Sequence, residues 1–238
     1  MDNLCLMQDY FAAYLRNVRQ NKEKTITNYF DALKWISRHL QEQGLIQTNI
    51  FEVADLSTLY SLRDSVFNDP VFKELDARGN QMYSSGLNNY VRFAEGVDFS
   101  KRKDKLVLLD RPMPIADTQN NDHDTWKRSA IIRDQVLVAA DYKCEIDPSH
   151  KTFISSKTHH LYAEGHHIIA LNKQGSIPRS LDIYANIICL CPLCHRFLHF
   201  GTIQDKQPVV KMLYDQRANR LAQSGIRLSQ GEFEHLVL

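Results

Sequence analysis

The chain has 238 residues, 43% of them hydrophobic and 24% charged, with a formal net charge of +1. That length and apolar fraction suit one or two cored domains; no signal peptide or membrane-spanning run appears, so a cytoplasmic protein is expected. Five cysteines, three of them around one knuckle, point to metal binding in a reducing cytoplasm and not to a disulfide framework.

Residues 4–96 predict four or five helices. In MDNLCLMQDYFAAYLRNVRQ, the residues Leu4, Met7, Phe11, Ala12 and Leu15 recur near helical spacing, with Cys5 read as a packing residue. TITNYFDALKWISRHLQEQG predicts a helix capped by Thr25 or Thr27, with Tyr29, Leu33, Ile36 and Leu40 on one face and Gly44 as its stop. DLSTLYSLRDSVFND opens on an Asp cap, and GNQMYSSGLNNYVRFAEG ends at Gly96. Residues 1–97 therefore read as a helical domain. Its cations Lys22, Lys24, Arg38, Arg78 and Arg92 are candidates for contact with a polyanion, against the alternative of a solvated or dimerisation face; residues 1–125 carry 15 Lys+Arg against 18 Asp+Glu.

Residues 98–125 read as a linker: a basic run, two prolines and a polar stretch from Thr118 to Asp124. Lys101, Arg102, Lys103 and Lys105 in that run are candidates to grip a phosphate backbone, the alternative being plain solvation. A second domain spans 126–238. It opens with a helix, WKRSAIIRDQVLVAAD, that offers Ile131, Ile132, Val136 and Val138 to a core, and it closes with two helices in VVKMLYDQRANRLAQSG and FEHLVL. This domain carries 14 Lys+Arg against 10 Asp+Glu, a weak indication of a polyanionic substrate.

The chemistry concentrates there. Cys191 and Cys194 have the spacing with which two thiolates wrap one soft cation through a tight turn. Cys144 and His150, in CEIDPSH, are the nearest second half, giving a Cys3His zinc site; the alternative is a buried Cys144 and a surface His150. Cys189 could compete as a ligand by strand alternation, and is read as a core thiol. Eight of the ten histidines follow residue 126. His195 and His199, four apart, share one helix face and can approach one cation or one phosphate. His166 and His167 are adjacent, so both can serve one centre only if the strand carrying them ends or twists there.

The ordered set EGHHIIAL, Asn186 in YANIICL and CPLCHRFLH resembles the HNH endonucleases with a ββα-metal core, most nearly their restriction-type branch, over about residues 140–201. The helices of residues 4–96 are similar to the helical units that precede some of those domains. The chain departs from the pattern in carrying Cys144 and His150 where many members have a second CxxC, and Ala170 where they have proline. The resemblance implies an α+β chain, with a helical bundle followed by the ββα-metal domain and its zinc knuckle. It implies His167 as general base, with Asn186 and His195 completing the catalytic set. A catalytic divalent ion, Mg²⁺ or Mn²⁺ with Ni²⁺ or Zn²⁺ as alternatives, would be held by His166, Asn186, His195 and His199. Arg196 would touch the nucleic acid.

The implied reaction is hydrolysis of DNA phosphodiester bonds, in restriction or in defence against phage and other foreign DNA. A neutral imidazole near pH 7 suits removal of a proton from water. A two-fold dimer would supply two centres for the two strands. Residues 1–96 would then select the target or dimerise, while residues 126–238 hold the chemistry. The competing reading is a zinc-stabilised nucleic-acid-binding module in which the histidines pack or bind phosphate.

Overall fold

A computed structural model describes residues 6–115 and 129–238. It is helix-rich with one two-stranded sheet, an α+β composition, and divides into two compact units, residues 1–98 and 99–238. Among the described residues no helix is long and apolar enough to cross a membrane. The expectation about Cys5 lies outside the described residues.

Among the described residues the first unit has five α-helices: α1 (Leu6–Ala13), α2 (Glu23–Glu42), α3 (Leu56–Asn68), α4 (Pro70–Arg78) and α5 (Met82–Glu95). Their apolar faces meet in an aromatic core. The ring of Phe11 lies 5.2 Å from Tyr90 and 5.5 Å from Phe93, and Phe30 stacks on Phe51 at 5.6 Å. Asp55 caps α3 as expected, accepting from Thr58 N at 2.9 Å. Gly44 and Gly96 end their helices in the left-handed region, each with φ of 71°.

The expected cap of α2 needs correction. That helix starts at Glu23 after an extended Lys22, and Thr27 lies inside it, donating to Glu23 O at 3.1 Å. In place of a Thr cap the first turn carries Glu23, a carboxylate where a helix N-terminus favours negative charge, paired with the Arg16 guanidinium at 2.7 and 2.9 Å. At the other end of the unit, Asp98 receives Arg92 in a two-pronged ion pair at 2.8 Å and accepts from the Tyr14 hydroxyl. Arg92 beside Asp98 holds that carboxyl down at about 2.

The second unit begins earlier than the sequence suggests. Residues 99–115 fall in the segment that the sequence reads as a linker, yet α6 (Lys103–Val107) and the chain after it bury Leu106, Leu109 and Met113. Burial of these apolar residues, together with the Arg220–Asp110 pair at 2.6 and 2.9 Å, docks the segment onto its own unit. The remaining linker positions, 116–125, and the predicted helix start at Trp126 lie outside the described residues. From Ser129 on, α7 (Ala130–Ala139) packs Ile131, Ile132, Val136 and Leu137 inward, while Val138 is only half-buried.

Two strands follow, β1 (Glu164–His167) and β2 (Ile187–Leu190), antiparallel with His166 opposite Ile188 and His167 opposite Ile187. Gly165 sits between the charged and imidazole positions of β1 for a steric reason: a Cβ there would come within 2.3 Å of the Arg133 side chain. Helix α8 (Pro192–Phe200) leaves directly from β2. It is followed by α9 (Ile203–Gln223) and α10 (Gln230–Val237). Helix α9 starts six residues before the predicted Val209, because Thr202 caps it through Asp205 N, and it runs through Pro208.

The second unit contains a buried ion pair that ties four of its segments together. Glu145, after Cys144, accepts Arg217 of α9 at 2.6 Å and the Cys189 N–H of β2 at 2.9 Å, with Lys103 of α6 at 3.3 Å. The side chains of Arg217 and Glu145 are 6% and 8% exposed, so neither charge is solvated on its own. Arg217→Ala is expected to cost about 3 kcal/mol in urea unfolding, the low end for a broken buried pair because Lys103 stays. Replacing both partners by apolar residues of similar size should cost less.

Candidate metal centre and catalytic cluster

Helix α8 positions both halves of the site. Cys191 is its N-cap residue, with the Cys194 N–H directed at the Cys191 sulfur at 3.4 Å, and Pro192 fills the first turn where no donor is needed. Cys144 and His150 come to the same place because the Glu145 N–H bonds Cys189 O at 2.8 Å, pinning the CEIDPSH turn to β2. His150 Nδ1 is 3.4 Å from the sulfurs of both Cys191 and Cys194. The ligand atoms of Cys144, His150, Cys191 and Cys194 all lie within 4.8 Å of one another, so this Cys3His cluster could hold a metal ion and is compatible with a structural zinc. Asp147 contacts the far ring nitrogen of His150, Nε2, at 3.3 Å, an arrangement that leaves Nδ1 to the thiols.

The donor set is chemically suited to a cation. Burial works to raise the Cys144 thiol, but backbone N–H groups of Asp147, Cys191 and Ile146, with His150, bring it down to about 7. Burial and the neighbouring Cys191 and Cys144 push the Cys194 thiol up. Three thiols so close cannot all ionise on their own, and a divalent ion removes that conflict. Cys189 stands outside this cluster: it is fully buried in β2, and burial, with Glu145 beside it, raises its thiol.

One turn further along α8, His195 and His199 meet His166 of β1. Their ring centroids are pairwise 4.9–5.0 Å apart in edge-to-face arrangements, and one nitrogen of each lies within 4.8 Å of the others. Burial, helped by His195, His199 and His167, drives the His166 imidazole down to about 3. Burial and His195 also lower His199. Neutral imidazoles keep their lone pairs for a metal ion. Glu164 lies at ion-pair distance from His195 Nδ1 without hydrogen-bond geometry, so that buried nitrogen has no hydrogen-bond partner among the described residues. The Tyr162 hydroxyl donates to Glu164 at 3.0 Å.

The adjacent histidine does something else. His167 Nε2 is 2.8 Å from Asp182 Oδ1, and the Asp182 side chain is 8% exposed. Asn186 also differs from expectation. Its Oδ1 accepts the Ile169 N–H at 2.9 Å, and its Nδ2 donates to Ile169 O and Leu181 O at 2.9 Å, all fully buried. Both amide hydrogens and one acceptor position of its oxygen are engaged with the backbone, so in this structure Asn186 braces the chain after the His pair.

The expected phosphate grips are mostly occupied. Lys101 pairs with Asp141 at 3.8 Å, Arg102 with Asp104 at 2.8 Å and Lys103 with Glu145. Lys105 is half-buried on α6. Arg196 is exposed on α8, its guanidinium 5.8 Å over the Phe200 ring. In the first unit Arg78 pairs with Glu74 and Arg92 with Asp98, leaving Lys22, Lys24 and Arg38 as exposed cations.

Sequence reasoning missed Glu164, Asp182 and Asp147. Glu164 could have been found, because it precedes His166 by two residues on one strand and period-2 alternation puts both on one face. Asp147 sits three residues before His150 in a turn. Asp182 carries no such local signal. No family model, curated protein or solved structure matches the chain.

Two outcomes follow from this geometry. The dialysed protein is expected to keep about one divalent ion per chain, and Cys194→Ser to lose it with a lower thermal midpoint, as read by elemental analysis and calorimetry. The second concerns pH. Folded His166 stays neutral down to about 3, whereas an unfolded histidine protonates near 6.5. Between those values only the unfolded chain takes the proton, so this group's contribution is present above pH 6.5 and is lost as pH falls toward about 3. In metal-free protein, His166→Gln should flatten the loss of denaturant midpoint between about pH 6.5 and about pH 4.5.

Proposed function

We propose that the chain is a metal-dependent endonuclease of the HNH type that hydrolyses DNA phosphodiester bonds. The observation that carries this reading is the meeting of His166 from β1 with His195 and His199 from α8, on the helix whose first turn supplies Cys191 and Cys194. Two antiparallel strands followed at once by that helix, with three imidazoles between them, is the arrangement a ββα-metal core requires. A zinc ion in the Cys3His cluster would hold the CEIDPSH turn to the helix and contribute folding free energy. The second, catalytic divalent ion, Mg²⁺ or Mn²⁺, would be held by His166, His195 and His199, and would supply positive charge to the phosphate and the departing oxygen.

The protein's own groups do the rest. His167, hydrogen-bonded behind to Asp182, takes the proton from the attacking water. Burial keeps His166 neutral, so it offers a lone pair at the working pH. Arg196, exposed on the same helix, is placed to meet a phosphate. Residues 99–115 belong with this chemistry, and residues 1–98 are left for target choice or for pairing two chains. A role in restriction or in defence against foreign DNA fits such an enzyme.

His167→Ala is expected to retain metal and duplex binding while nicking of supercoiled plasmid with Mg²⁺ or Mn²⁺ falls by about 100-fold or more. Near-normal nicking by that variant would remove His167 from the reaction. Duplex binding by wild-type protein without nicking under any divalent ion would favour a binding module.

A further inference from the structure

We infer that Asp182 is the positioning residue for His167: it holds the imidazole in the tautomer protonated at Nε2 and turns the lone pair of Nδ1 to the reaction. The inference deepens the nuclease reading and rests on it. Asp182 Oδ1 is 2.8 Å from His167 Nε2, while Oδ2 accepts the Ser129 N–H at 2.7 Å. The Asp182 N–H in turn donates to Ser180 Oγ at 3.2 Å. The carboxylate is therefore held on both oxygens and at its own backbone, and the residue is 6% exposed. An ionised carboxylate only accepts hydrogen bonds, so the ring nitrogen facing it must carry the proton. A neutral imidazole has one proton, which leaves Nδ1 as the basic nitrogen.

The two partners of Asp182 differ in a way that makes the assignment testable. Ser129 N–H is a backbone donor at the N-cap of α7 and can only donate. The imidazole can be donor or acceptor by moving its proton. In Asp182→Asn the new amide must keep its oxygen toward Ser129, so its NH2 group faces His167 Nε2. That nitrogen then has to accept, and the proton moves to Nδ1. The substitution preserves the α7 contact and the side-chain volume while reversing the tautomer, and a reversed tautomer presents an N–H where the base should be.

The test has two arms on the full chain. In long-range ¹⁵N–¹H spectra of histidine-labelled protein, with the His167 signals identified by their loss in His167→Gln, wild type should be protonated at Nε2 and Asp182→Asn at Nδ1. In plasmid nicking with Mg²⁺ or Mn²⁺, Asp182→Asn should lower kcat by about 100- to 10,000-fold with KM near the wild-type value. Asp182→Glu keeps an acceptor-only group, and should cleave at least about 10-fold faster than Asp182→Asn. If Asp182→Asn does not fold, Asp182→Glu should still show His167 protonated at Nε2, and a ring protonated at Nδ1 in that variant would overturn the inference. An unchanged tautomer in Asp182→Asn, or kcat within about threefold of wild type, would overturn the inference. So would equal losses in the Glu and Asn variants. Wild-type protein that never nicks sinks the nuclease reading instead, and the spectra still decide whether Asp182 sets the ring.

Discussion

The register of one short helix governs the second unit. Pro192–Phe200, with Cys191 as its N-cap residue, carries groups of two separate clusters that could each hold a metal ion, two thiols about its first turn and an imidazole on each of the two turns that follow. Successive helical residues point about 100° apart, so Cys194 and His195 are aimed in different directions although they are neighbours. A slip of one residue would carry His195 and His199 away from His166 and Cys194 away from His150. The start of the helix is therefore the fixed point. It is set by Cys191 acting at once as N-cap residue and as a member of the Cys3His cluster, with Pro192 after it in the first turn.

Around each cluster the chain places carboxylates that do not belong to it. Asp147 stands behind His150, Glu164 beside His195 and Asp182 behind His167, while Glu145 ties the knuckle turn to Arg217 and to β2. Rings held from behind lose rotational freedom, and their proton positions are chosen by the acceptor they face. The inner groups are close-packed thiols and imidazoles that repel one another when charged. A cation in the Cys3His cluster would relieve the conflict among its thiols, whereas the neutral imidazoles of the second cluster offer lone pairs without such a conflict.

The first unit has a different character. Its core is aromatic, and Arg16, Arg78 and Arg92 are paired with Glu23, Glu74 and Asp98 inside the unit. The exposed Arg16 and Arg78 pairs contribute little to stability, while the Arg92 pair is part-buried through Asp98, and all three remove these cations from a free basic surface. Among the candidate cations in the described residues, those left exposed without an ion pair include Lys22, Lys24, Arg38 and, in the second unit, Arg196.

Much of this was legible in the chain itself. Helical spacing located α2, α3 and α5, and glycine marked the ends of α2 and α5, because these are local properties of the backbone. The CxxC turn and the four-residue spacing of His195 and His199 likewise fix their relation to each other with no help from the rest of the fold. What the spacing could not fix was which distant groups meet them. The pairing of Cys144 and His150 with Cys191 and Cys194 depends on the Glu145–Cys189 bonds across to β2. The docking of residues 99–115 depends on Asp110 finding Arg220, and the use of Asn186 as a brace depends on where the backbone after the His pair turns. Asp182 reaches His167 only because the chain between β1 and β2 returns to the end of β1. Hydrogen bonds and ion pairs between residues far apart in sequence leave no periodic trace, so the local chemistry of the ligands was written in the sequence and their partners were decided by tertiary structure.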